Sequence, residues 1–252
     1  MRPHIRSVFL AAAATVAALA STGLGGAIPA VAASAWPRPA IKTVIDTDFA
    51  GYVTAGRWRF RYVAATVPVA KCRPQSSQNA AARIALTSTL TAVAHIDLSC
   101  GGGRGSVRFG ATLQAHGRFR LSPHVGDVLE ISIYRNRAAC SDQFAVTNTD
   151  TGSSQAIMVR TPCKVVYRHA ALGASLLSSG GFTPPRRNVR LWEIRGLGIT
   201  SYGGTRGTPC GPWAAEKHLA APVIAVRMFP SALSNGCRNF SVLLKGRSDA
   251  SR

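Results

Sequence analysis

Residues 56–69, GRWRFRYVAATVPV, alternate with little error: Arg57, Arg59 and Arg61 take odd positions, and Trp58, Phe60 and Tyr62 take even ones. Successive side chains of a strand point to opposite faces, so the stretch predicts a strand with one ring face and one cation face. Two functions compete for this pattern. Exposed rings beside arginines form a platform for single-stranded nucleic acid, the bases stacking and the cations following the phosphates. Buried rings instead make an ordinary sandwich strand whose arginines face water.

Working outward, the chain repeats the same kind of signal. Runs rich in β-branched and aromatic residues occur at 58–67, 83–98 with a turn near Ser88, 107–115, 128–135, 143–148, 155–160, 189–201, 222–229 and 239–244. Turn-forming stretches such as GGGRGS, SPHVGD, NTDTGSS and SSGGFTPPRRN separate them. Many short strands joined in this way predict an antiparallel sandwich or barrel. Helical signal is confined to AAEKHLA at 214–220, which predicts one or two turns, and to QNAAARIAL, which leads directly into a β-like run.

Residues 1–33 predict a secretory signal peptide: Arg2 and Arg6 precede the apolar run SVFLAAAATVAALA, and small residues suited to cleavage follow between Ala32 and Ala35. No later segment is long and apolar enough to span a bilayer, so the expectation is a secreted, extracellular protein. A Pro-rich lead-in at 34–47, one domain at 48–246 and a flexible tail at 247–252 complete the expected organisation. The 252 residues carry 30 Lys+Arg against 10 Asp+Glu. The leader holds two of the arginines and no acid, which leaves the mature chain at +18. Such a charge steers anionic partners toward the surface and is silent about fold. Cys72, Cys100, Cys140, Cys163, Cys210 and Cys237 form an even set, which in an exported chain predicts disulfides. Six cysteines allow fifteen connectivities, and sequential pairing is favoured because it closes three loops of similar span. No short Cys or His spacing suggests a metal, and no cofactor motif is present.

The order of motifs resembles the secreted glutamic peptidases, the eqolisin or scytalidoglutamic-peptidase-like family. The segments that carry the resemblance are FAGYVTAGRWRFRYVAATVPV, VRFGATLQAHGRF, LSPHVGDVLEISIYRN, FAVTNTDTGSS and ASLLSSGGF with RLWEIRGLGITSYGG, in the family's order over residues 48–203. The resemblance implies a two-sheet antiparallel β-sandwich of concanavalin-like or jelly-roll type. It also implies a glutamine and a glutamate in the cleft, the carboxylate activating water and the amide stabilising the developing oxyanion. Neither is found. The glutamine position falls at about Val93, within TLTAVAHIDLSC. The glutamate position falls at Ser175, with Ala171 as the alternative, and no acid occurs between Asp150 and Glu193. Gln114 stands where the family's aromatic-rich strand carries a glutamate.

Three other groups of residues draw attention. His95 and Asp97 share a strand face beside the lost glutamine position, and with Gln114 and Glu130 they make a candidate cleft. Arg57, Arg59 and Arg61 make a candidate anion-binding row. Asp127 is expected to brace its turn, and Glu193 to pair with Arg190 or Arg195. GGGRG at 101–105 lacks the Lys-Ser/Thr end of a phosphate loop, and no Gly-x-Ser-x-Gly elbow exists. The sequence therefore predicts a glutamic-peptidase-like sandwich without the peptidase reaction, acting as an extracellular binding or structural protein. An active hydrolase with non-standard residues, and a basic module for an anionic cell-wall polymer or nucleic acid, remain the alternatives. A peptide or wall polymer is the expected partner. Nucleic acid is the less expected one, because a sandwich strand would bury Trp58, Phe60 and Tyr62.

Overall fold

The computed structural model describes residues 41–71, 79–101, 104–113, 115–117, 121–176, 188–221 and 228–245. The expected signal peptide, the tail and Cys72 lie outside the described residues, as does Gln114. In chain order the strands are β1 (Lys42–Asp46), β2 (Phe49–Ala55), β3 (Phe60–Pro68), β4 (Asn79–Thr87), β5 (Thr91–Gly101), β6 (Arg104–Leu113), β7 (Ala115–Gly117) and β8 (Val128–Asn136). They continue with β9 (Ser141–Asn148), β10 (Ser154–Arg160), β11 (His169–Leu176), β12 (Val189–Ser201), β13 (Arg206–Gly207), β14 (Ala214–Ala220), β15 (Met228–Pro230) and β16 (Phe240–Leu244). No described residue is helical.

The protein is all-β, as the strand and turn signals predict. Its hydrogen bonding runs continuously in the order β10-β9-β8-β3-β12-β16-β15-β14-β2-β11-β4-β5-β6-β7. The long strand β12 joins two leaves, pairing with β3 on one side and β16 on the other. Pairing is antiparallel except for β1, which runs parallel to β14. The leaves close on one core. Leu129, Ile131 and Ile133 of β8 and Phe144 and Val146 of β9 meet Ile84 and Leu86 of β4 and Ala94, Ile96 and Leu98 of β5. Alternate residues of each strand fill this core and the others face outward, which fixes the register of both leaves.

The opening stretch departs from its expected pattern. Strand β3 begins at Phe60, so Trp58 lies before it and packs edge-on against Trp213 at 5.6 Å. Phe60 is buried against the same indole at 5.0 Å. Beyond it the residues packed into the core are Val63, Ala65 and Val67, at odd numbers. Tyr62 therefore belongs to the outer face and not to the packed face predicted for it. A β-bulge is the cause: Phe60 pairs with Ser201 and Tyr62 with Thr200, so Arg61 is an extra residue on β3.

Two further expectations change. AAEKHLA is strand β14, held between β2 and β1, and QNAAARIAL contributes strand β4. The lead-in at 34–47 contains β1, an added strand on the edge of the β14 leaf. Cys140–Cys163 and Cys210–Cys237 form as sequential pairing predicts. Cys100 is also disulfide-bonded.

Candidate functional site

Register alone assembles the outer face of the leaf β14-β2-β11-β4-β5-β6. One row across it is His218, Gly51, Gly173, Arg83, His95 and Gly110. A second row, nearer the end of β11, is Phe49, Ser175, Ala81, Asp97 and Arg108. A third, on the other side, is Glu216, Val53, Ala171, Ala85, Val93 and Thr112. The chemistry lies in the first two rows and the third is mainly apolar.

Glycine shapes this face at two places. A Cβ on Gly173 would lie 2.6 Å from the Phe49 ring, so the missing side chain lets that ring fold across β11. The ring also meets His218 edge-on, with centroids 6.0 Å apart. On the far side, a Cβ on Gly110 would strike the His95 imidazole, which lies over β6. His95 Nε2 stands 3.6 Å from Asp97 Oδ2, both side chains being partly exposed. Arg83 reaches Asp48 at 3.8 Å. His218 lies between two carboxylates, Asp46 at 3.2 Å and Glu216 at 3.7 Å, which ties β1 to β14. Ser175 is fully buried, and its hydroxyl, Asp97 Oδ1 and Arg83 Nε, all inaccessible to solvent, have no hydrogen-bond partner among the described residues.

The face thus offers an imidazole–carboxylate pair and a central guanidinium across its first two rows. It suits an extended polar chain laid across the strands. Val93 and Ser175, the two positions singled out from the sequence, fall in different rows. They are four residues apart along the strand direction, or about 13 Å at the usual rise. Two groups acting on one carbonyl must both come within hydrogen-bond reach of it, which that separation forbids. The consistent combinations are Val93 with Ala171, both apolar, and Asp97 with Ser175, a carboxylate and a hydroxyl.

The proposed cleft does not assemble as a whole. His95 and Asp97 share one outer face, whereas Glu130 is exposed on β8, where Leu129, Ile131 and Ile133 point into the core from the other leaf. The arginines also separate. Arg57 and Arg59 precede β3 and are exposed, Arg59 lining a depression with Lys164 and Arg168. Arg61 lines a groove of about 660 Å³ with Tyr62, Tyr134, Arg206 and Arg238. The Tyr62 pKa is raised by burial and by the charge of Glu130, partly offset by a hydrogen bond with Ser132. Asp127 braces its turn, accepting from His124 N at 2.8 Å and Asn148 Nδ2 at 2.6 Å. Glu193 accepts from Arg195 Nε at 2.8 Å, a bond that holds its carboxyl below the usual range. Phe49, Arg83 and His218 are absent from the sequence-based candidates. Only the pairing of β2, β4 and β14 with β11 brings them together, and no local pattern encodes that pairing.

The sequence matches no family model and no curated protein. The fold, however, is shared with solved glutamic peptidases. Scytalido-glutamic peptidase bound to a peptide-based transition-state analogue superposes with a TM-score of 0.57 at 16% identity, over 79% of this chain and 98% of that one. SCP-B, a member of the Eqolisin family in complex with the tripeptide Ala-Ile-His, gives 0.55 at 16%, over 78% and 98%. Aspergilloglutamic peptidase from Aspergillus niger gives 0.52 at 15%, over 66% and 99%. The chain therefore has the β-architecture of the glutamic peptidases, and at these identities the likeness extends to the fold alone.

Proposed function

We propose that this is a secreted protein that binds extended peptide on the β2-β11-β4-β5 face and does not carry out glutamine–glutamate hydrolysis. The observation that carries the reading is the content of the two consistent rows. One holds Val93 and Ala171, the other Asp97 and Ser175, and neither pairs a carboxylate base with an amide donor. Loss of an acid–base group alone lowers a rate by about 10² to 10⁴. Peptide as ligand is supported by the peptide inhibitor and tripeptide held by structures of the same fold. It is also supported by Arg83, His95 and Asp97, whose partly exposed side chains lie together on that face.

The test is the anisotropy of a fluorescein-labelled unstructured peptide, followed by its intact mass after prolonged incubation. Saturable binding is expected, weakened about 10-fold by Arg83→Ala or Asp97→Ala, with the peptide mass unchanged. Absence of binding, or binding indifferent to both substitutions, contradicts the reading. Cleavage abolished by Asp97→Asn would instead support the second reading, a hydrolase built on the His95–Asp97 contact level with Ser175.

A further inference from the structure

We propose that the groove beside β12 binds single-stranded nucleic acid, with Tyr62 and Tyr134 as the stacking floor and Arg61, Arg206 and Arg238 as the phosphate contacts. The sequence pattern sets a condition for such a site, namely rings exposed beside arginines. Trp58 and Phe60 fail it by packing on Trp213, whereas the Arg61 bulge turns Tyr62 to the outer face, where it lies half-buried beside the exposed Tyr134. Tyr62 and Tyr134 are direct partners across β3 and β8, and Tyr134 is 36% exposed. On the other side of Tyr62, Gly196 and Gly198 leave the β12 backbone bare within the groove, which lets a flat ligand approach the sheet.

The cationic walls are built, and each is anchored. Arg206 lies on β13, paired to β12 at Thr200, and Arg238 follows Cys237. Cys210 and Cys237 are joined, so the two wall segments are cross-linked to each other. Arg238 O also accepts from Leu197 N at 3.0 Å, fixing its loop to β12. None of the three arginines is in an ion pair among the described residues, and no acid lines the groove. The acid of β8, Glu130, lies four residues from Tyr134 on the same face, and its charge acts on Tyr62. A volume of about 660 Å³ lies within the usual range of ligand sites. Unpaired arginines around outer-face rings match a polyanion whose units carry flat faces. Rings stack on bases irrespective of sequence, while arginines follow the backbone. A ring-free polyphosphate uses the walls but leaves the floor empty.

The experiment is the anisotropy of fluorescein-labelled (dT)12 with the purified protein from 50 to 300 mM salt, competed by an abasic phosphodiester 12-mer and by inorganic polyphosphate. Tyr134→Ala is expected to weaken binding about 10-fold, while Tyr134→Phe retains it. Arg206→Ala with Arg238→Ala should lower affinity at least about 10-fold and make the salt slope shallower by about 1.4. Arg160→Ala with Arg168→Ala removes the same charge from exposed sites outside the groove and should change affinity less than about twofold. Each variant is checked for an unchanged melting temperature. Abasic strand or polyphosphate competing as well as (dT)12, equal losses in both arginine doubles, or no binding at 50 mM salt would each overturn the proposal.

Discussion

Tyr52 shows how one side chain links burial to pH. It is 2% exposed, donates its hydroxyl to Ser231 O at 2.7 Å and packs edge-on against Phe240 at 5.0 Å. Burial pushes its pKa from 10.0 up to about 12. A folded-state pKa above the unfolded one leaves stability intact below pH 10, and stability falls as pH rises from there through about 12. The two-unit shift corresponds to a loss of roughly 3 kcal/mol. Tyr52→Phe removes the titrating group and should flatten urea-midpoint stability over that window, at the cost of about 1 kcal/mol at neutral pH for the missing hydrogen bond. Within the other leaf, Asp142 of β9 and Arg135 of β8 are both fully buried at 3.6 Å, and Asp142 also accepts from Thr161 and Tyr167 at 2.7 Å. These donors satisfy Asp142 Oδ2, and the Tyr167 pKa is raised by its own burial and then by the bond to this carboxylate.

Among the elements, β11 is the most constrained, because β2 and β4 flank it and Gly173 brings Phe49 across its backbone. A Cβ there would strike Ala50 O and lie 2.6 Å from the Phe49 ring. Since backbone cannot yield as a flexible side chain can, Gly173→Ala is expected to cost about 1–3 kcal/mol. At about 2–4 °C per kcal/mol for a domain of this size, calorimetry should show a clear fall in melting temperature. The strands differ in how far their sequences disclose them. In β8, and in β9 from Asp142 onward, the buried residues alternate strictly, so VLEISIYRN and QFAVTN carry their own face assignment. In β3 the assignment fails at one residue. Nothing within GRWRFRY announces the bulge, because the extra residue is defined against β12, more than a hundred positions away. In β14 the sequence AAEKHLA has good helix formers, and two flanking strands override them.

Across the whole molecule, composition and turn chemistry disclose an all-β fold, because both are local properties repeated along the chain. Strand register is not local, so the site is disclosed only in part. His95 and Asp97 can be placed on one face from their spacing, but that Asp97 and not Val93 lies level with Ser175 depends on three paired strands. The two outer faces then have different characters. One presents imidazole, carboxylate and guanidinium groups around bare β11 backbone, and the other presents tyrosines beside arginines that have no ion pair among the described residues. The central proposal is that a chain with the glutamic-peptidase fold does not hydrolyse peptides. Its most direct test is release of acid-soluble peptides from denatured casein by the purified protein between pH 2 and 8. The account predicts none above background at any pH, whereas reproducible release by the purified protein at any pH would contradict it.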